Sequence, residues 1–177
     1  MNGMAGRWSQ IKKALRVESN QSLIGLIKDL YDLRPENKTF LEARLAGGAV
    51  DAEPYRRRVE EAISPDPLSR RDISIAGARQ AVREYEKAVR DPLQVADLML
   101  YYVECGTWFA TEFGYDDERF FASLIRMFGE MLRKLDQVDG SQRTEIVERI
   151  EAVIRRAGRT GWGYEDGLRY QFDDWKK

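Results

Sequence analysis

The chain contains no histidine. That excludes Ser-His-Asp and Cys-His catalysis, histidine proton shuttles and every histidine-ligated metal site. It contains one cysteine, Cys105, so no disulfide can form within it. A lone thiol suits a reducing cytosol better than a secreted setting. Long hydrophobic runs are missing too. The longest is Leu98 to Val103, six residues, far below the roughly 18 that a spanning helix needs. Met1 to Gln10 holds no apolar stretch of the kind that forms a signal peptide. These absences lead us to expect a cytoplasmic protein without a membrane partner. Charge of one sign is lacking as well. Against 29 Lys and Arg stand 30 Asp and Glu, a net charge of −1, so the strongly basic balance of many nucleic-acid proteins is absent. No Walker A, G-x-S-x-G, EF-hand or zinc-ligand spacing occurs, so no cofactor and no metal are expected.

What is present is helical periodicity in a chain of 177 residues with 43% apolar and 33% charged residues, enough to fill a core. Asn20 or Ser22 is placed to cap a helix with Leu23, Ile24, Ile27, Leu30 and Tyr31 on its apolar side. Pro35 opens the next segment, which carries Phe40, Leu41 and Leu45 and stops at Gly47-Gly48. A third helix begins near Asp51 and places Tyr55, Val59 and Ile63 at i, i+4, i+8. Ser64-Pro65-Asp66-Pro67 follows, where two prolines in three residues forbid helix continuation. Asp72 or Ser74 caps a helix with Ile75, Ala78, Val82, Tyr85 and Val89 on one face. Asp91-Pro92 opens the most apolar helix, Leu93 to about Phe113, which Gly114 ends. Asp116 is placed to cap a helix bearing Phe120, Phe121, Leu124, Met127 and Phe128. Gly140-Ser141 is another stop and cap. A further helix uses Ile146, Ile150 and Val153, with Glu145→Arg149 and Glu151→Arg155 as i, i+4 pairs and Gly158 at its end. A short last helix places Tyr164, Leu168, Phe172 and Trp175 on one stripe, and exposing so many aromatics is costly enough that the tail is expected to dock back on the body.

The pattern predicts an all-α single domain of seven or eight helices in antiparallel pairs around helix 93–113, as a bundle or a short curved stack. A subdomain break is expected at 64–67, between short helices in 1–63 and a main body in 68–177. Charge is uneven. Residues 1–71 carry 13 basic and 10 acidic residues, and residues 72–140 carry 8 and 13. Such polarity permits head-to-tail contacts within or between chains.

Several constellations invite a functional reading. Asp97, Tyr101, Glu104, Trp108 and Thr111 form one stripe on the apolar helix, with the two carboxylates about 10 Å apart along the axis. That stripe suits an acid/base pocket lined by Tyr101, Tyr102 and Trp108. It equally suits a structural Glu–Arg or Glu–Tyr contact, or the exposed edge of a buried helix, and this reading is preferred. Arg79, Arg83, Lys87 and Arg90 follow at i, i+4, i+8, i+11, a basic strip able to meet phosphates, with Arg56-Arg57-Arg58 and Arg70-Arg71 nearby. Interleaved acids weaken it, and a solvated helix face looks the same. Gly161-Trp162-Gly163-Tyr164 to Gly167 has the wrong spacing for a nucleotide loop and is read as a turn with aromatic anchors. Asp116-Asp117-Glu118 is read as a helix cap rather than a metal site. Cys105, on an apolar helix, is read as inert.

Leu23-Ile-Gly-Leu-Ile-Lys-Asp-Leu-Tyr31, Asn37-Lys-Thr-Phe-Leu41, Ala78-Arg-Gln-Ala-Val82, Asp97-Leu-Met-Leu-Tyr-Tyr-Val-Glu104, Glu112-Phe-Gly114 and Gly161-Trp-Gly163 together resemble a small uncharacterised family of bacterial helical proteins, over about residues 20–164. The resemblance implies a helical fold and a prokaryotic cytosol, and it supplies no catalytic residue.

The leading expectation is a non-catalytic module that binds another protein or itself. Its candidate surface is an aromatic groove of Tyr101, Tyr102, Trp108, Phe113 and Tyr115, with Trp162 and Trp175 as lid or anchors. The alternative is nucleic-acid or polyanion binding through Arg79, Arg83, Lys87 and Arg90. A carboxylate-dependent enzyme using Asp97 and Glu104 comes third.

Overall fold

The computed structural model describes residues 3–45, 51–69 and 71–177. Those residues form nine α-helices and no strand, so the fold is all-α. The helices are α1 (Gly3–Leu15), α2 (Asn20–Leu33), α3 (Pro35–Leu45), α4 (Glu53–Ile63), α5 (Ile75–Ala88), α6 (Pro92–Phe113), α7 (Glu118–Leu135), α8 (Thr144–Ala157) and α9 (Tyr164–Trp175). Single 3-10 turns occupy Pro67–Ser69 and Gly140–Gln142. The expected stop at Gly47-Gly48 and Arg70 of the basic pair lie outside the described residues.

Two compact units divide the chain, Met1–Gly47 and Gly48–Lys177. The break expected at 64–67 therefore falls inside the second unit. The reason is α4, whose Tyr55, Val59 and Ile63 are buried against α5 and α6. The Ser74 N–H also donates to the Ala62 carbonyl at 2.8 Å, which ties the proline-rich turn down at both ends. Here two prolines reverse the chain between packed helices.

In the first unit, α2 packs against α3. Ser19, not Asn20 or Ser22, caps α2, its hydroxyl accepting from the Ser22 N–H at 3.1 Å. Helix α1 forms although Gly3 and Gly6 are poor helix formers. Trp8, Ile11 and Leu15, spaced by three and four, supply its apolar side.

In the second unit α6 is the hub, with α4, α5, α7 and α8 packed around it. Its start is fixed by Asp91, which accepts from the Leu93 N–H at 2.9 Å, and by Pro92 in the first turn. Gly114 ends it at φ 64, a left-handed conformation that favours glycine. Gly106 lets α7 approach closely, because a methyl there would run into the side chain of Leu124. Asp117 rather than Asp116 caps α7, accepting from the Phe120 N–H at 2.8 Å. Gly158 ends α8, as its position in the sequence suggested, with a right-handed φ of −61. Helix α9 docks on α7 and α8 and buries Tyr164, Leu168 and Phe172, as the stripe predicted. Trp162 and Gly163 before it are both left-handed, at φ 60 and 62.

Candidate functional site

Helix α6 is buried on every side but one. The open strip is the row Asp97, Tyr101, Glu104, Trp108 and Thr111, and α4 and α8 pack on α6 beside it. Its polar members are not free. Arg149 of α8 donates from Nε and Nη2 to the two carboxylate oxygens of Glu104, at 2.8 and 2.7 Å. The Nη1 of the same guanidinium donates to Asp97, and Arg56 of α4 donates to the other Asp97 oxygen. The result is an alternating chain, Arg56–Asp97–Arg149–Glu104, which crosses three helices with no net charge. The flanking carboxylates, Glu104 foremost, hold the Arg149 pKa above the usual arginine value. Tyr101 donates to Glu60 at 3.1 Å, and the Arg56 guanidinium lies 5.2 Å from its ring centre. Burial, then Cys105, raise the Tyr101 pKa, and burial pushes the Cys105 thiol up to about 12.

This arrangement does not make Asp97 and Glu104 an acid/base pair. Asp97 lines a cavity of about 340 Å³ with Tyr85, Gln94 and Glu145. Glu104 lines a different one, with Trp108 and Arg156. Arg149 stands between them and is bonded to both. Glu145→Arg149 was expected as a local pair, but the arginine turns to α6 instead. Its place beside buried Ile146 and Ile150 was the available signal that it faces inward. Glu151→Arg155 does form, at 3.9 Å.

Beyond Glu104 the open strip turns aromatic. Trp108 is 44% exposed and Phe113 is 47% exposed, with ring centres 5.5 Å apart, edge to face. Together they make a ridge; Trp108 lines a cleft on each side of it and Phe113 lines one of the two. One cleft, of about 500 Å³, lies against α8 and is lined by Arg149, Arg155, Arg156 and Arg159, with Glu104 as its acid. Arg156 is held by Thr111 at 2.7 Å and by Glu112. Arg155 and Arg159 are exposed at its edge. The other cleft, of about 440 Å³, lies against the end of α4 and the proline turn and is lined, among the described residues, by Glu60, Glu61 and Asp66, with Arg71 as its base. Arg71 meets Glu61 at 3.6 Å. The ridge thus separates a basic cleft from an acidic one.

The remaining candidates are scattered. Tyr102 is fully buried on the opposite side of α6, its hydroxyl 2.7 Å from Ser123 Oγ. It is a core residue, which corrects its place in the expected groove. Tyr115 sits between Phe109 and Phe120, at 5.6 and 5.0 Å. Trp162 is 59% exposed and donates to Asp116. Trp175 donates to Asp136 at 2.8 Å, stacks on Phe172 and lies under Arg143. It anchors the tail at the far end of α7 and forms no lid over the ridge. In the basic strip Arg79 is bound to Glu130 at 2.7 Å, while Arg83, Lys87 and Arg90 are exposed. Their acidic neighbours are also taken, Glu84 by Arg58 and Glu86 by Lys134, each at 2.6 Å. Burial alone would raise the Glu84 pKa, but the bonds from Arg58 and Gln80 outweigh it and lower it.

The first unit carries a groove of its own. Ile24, Ile27 and Tyr31 of α2 and Leu41 and Leu45 of α3 line a shallow, open groove of about 460 Å³, with Lys28 and Glu42 also on its wall.

Among the described residues, no group of three or more acidic or thiol side chains is placed to hold a metal ion, and no helix is long and apolar enough to cross a membrane. Comparison with protein families, curated proteins and solved structures finds no match to this chain.

Proposed function

We propose that the chain is a non-catalytic self-assembly module whose second unit pairs with a second copy through the Trp108–Phe113 ridge. One observation carries this reading. A half-exposed aromatic ridge lies between a cleft with Arg155 and Arg159 exposed at its edge and a cleft lined by Glu60, Glu61 and Asp66. A two-fold axis through such a ridge sets aromatic against aromatic. It also brings the arginine side of each copy onto the acidic side of the other. Surfaces of this kind, with an aromatic centre and a charged rim, suit protein association.

A polyanion would find less on the expected strip, where Arg79 is committed to Glu130 and the acids Glu84 and Glu86 are interleaved with Arg83 and Lys87. The likeness to uncharacterised bacterial helical proteins, resting on the residues named above, supplies no catalytic residue and is compatible with this reading. So is a cytosolic setting, in which Cys105 stays reduced.

Sedimentation equilibrium of the full chain tests the proposal. Trp108→Ala should weaken this mode of association by about 30-fold, the effect of losing a central aromatic anchor, with helicity unchanged. Arg155→Glu with Arg159→Glu should weaken it too, and adding Glu61→Lys with Asp66→Lys should restore it. A mass distribution that Trp108→Ala leaves untouched at every concentration overturns the reading.

A further inference from the structure

Helices α2 and α3 form a hairpin in which no described side chain is buried. Ile24 is 66% exposed and Leu30 is 53% exposed. A helix pair of this length is marginal in water unless its apolar face is covered. The face has a definite shape, since Ile24, Ile27 and Tyr31 of α2 oppose Leu41 and Leu45 of α3 across the groove. It also has a definite charge pattern. Lys28 stands on the α2 wall and Glu42 on the α3 wall. The segment 19–45 holds four basic and four acidic residues, so it carries no surplus charge for a lipid surface or a nucleic acid to attract.

We infer that this face docks the same hairpin of a second copy, closing a four-helix bundle about a two-fold axis. The axis lays α2 of each copy on α3 of the other. The two apolar walls then cover each other. Lys28 of each copy meets Glu42 of the other, so the charge pair forms twice. Within one copy Lys28 is bonded to Asp32, and Glu42 accepts from Tyr31 at 2.6 Å. Both charges are therefore held at the edge of the groove, where a second copy would reach them. The occupant is another copy because the groove wall carries both halves of the charge pair that it would need from its partner.

This inference does not need the ridge reading, and one set of variants separates the two. If both faces operate, the wild-type chain assembles beyond a dimer, since two different two-fold contacts on one chain extend the assembly. Sedimentation equilibrium of the full chain should then find that Ile27→Glu stops at a dimer, Trp108→Glu stops at a dimer, and the two together leave a monomer. An Ile27→Glu chain with the wild-type mass distribution overturns the hairpin inference whatever Trp108→Glu does. An unchanged Trp108→Glu chain counts against the ridge alone. Because Ile27→Glu could also unfold the hairpin, a second experiment uses the charges. Both variants are made in the Trp108→Glu background. Lys28→Glu copies and Glu42→Lys copies should each self-associate more weakly by roughly tenfold, through like charges brought together twice. Mixing the two should restore association, because the opposite charges then meet in every mixed pair. A mixture no heavier than its separate components overturns the inference.

Discussion

Arg149 of α8 grips Glu104 of α6 with one edge of its guanidinium, Nε to Oε1 at 2.8 Å and Nη2 to Oε2 at 2.7 Å, and turns its remaining nitrogen to Asp97. Two carboxylates on one helix are thereby bound by a single cation from another. Removing it leaves both half-buried acids short of a partner. Arg149→Met is expected to destabilise the fold by about 1–3 kcal/mol, below the range for a fully buried pair because the site is partly solvated. Arg149→Lys should fall between, since a lysine keeps the charge and loses the fork. Urea unfolding followed by circular dichroism measures both, and an Arg149→Met midpoint equal to wild type would show that the chain of charges adds nothing to stability.

The close approach of α6 and α7 at Gly106 gives a second test. Gly106→Ala gains helix propensity, worth about 1 kcal/mol, but drives a methyl into Leu124, which is fully buried. Overpacking of that kind costs about 1–3 kcal/mol. The expected result is a small net loss of stability. Leu124→Ala alone should cost about 2–5 kcal/mol, and the double variant should cost less than the two singles together. Additive losses would mean that the methyl finds room elsewhere.

A third prediction concerns a buried hydroxyl pair. Thr107 Oγ1 donates to the Val103 carbonyl at 2.7 Å and lies 2.6 Å from the Tyr164 hydroxyl. The Tyr164 hydroxyl is therefore the donor to Thr107, and this bond fastens α9 to α6. Thr107→Val strands that hydroxyl in a buried site, at about 1–3 kcal/mol, whereas Tyr164→Phe removes the stranded group itself and should cost less, about 1 kcal/mol. Adding Tyr164→Phe to Thr107→Val should recover part of the loss. A double variant as unstable as the sum would contradict this pairing.

Alkaline pH supplies a fourth. Burial raises the Cys105 thiol from 9.0 to about 12 and the Tyr85 hydroxyl from 10.0 to about 12. Both groups stay protonated in the folded chain at a pH where they ionise in the unfolded one. Their contribution to stability is complete below about pH 9 and is lost as the pH rises towards 12. The urea midpoint should hold from pH 7 to 9 and fall between 9 and 11. At pH 8 a thiol reagent should label Cys105 slowly in the native chain and rapidly in urea. Equal labelling rates would refute the protected thiol.

Much of the fold was legible because its signals are local. Asp91-Pro92, Ser74 and Gly114 mark helix ends through their own backbone chemistry. The spacing of Tyr55, Val59 and Ile63, or of Tyr164, Leu168 and Phe172, names a buried face without reference to any other helix. The site was harder to read because its contacts are long-range. Arg149 had an acceptable local partner in Glu145, and nothing nearby in sequence announces Glu104, 45 residues away. Tyr101 and Tyr102 are adjacent, yet one lines the open strip and the other fills the core. Tyr102 shares its row with Leu98, Gly106 and Phe109, whereas Tyr101 shares its row with Asp97, Glu104 and Trp108. That difference was present in the sequence and would have separated them. The prolines at 65 and 67 misled for a related reason. They announce a bend, but whether a bend divides two bodies depends on what packs across it.

Asp97 is shared by arginines that reach it from α4 and from α8. Arg56 belongs to the helix that leads into the acidic cleft, and Arg149 lines the basic one. A carboxylate held from both sides transmits a pull, because loosening either guanidinium changes the field felt by the other. The two flanks of the aromatic ridge are therefore linked through one pair of oxygens behind it. Losing either arginine would leave Asp97 gripped from one helix alone.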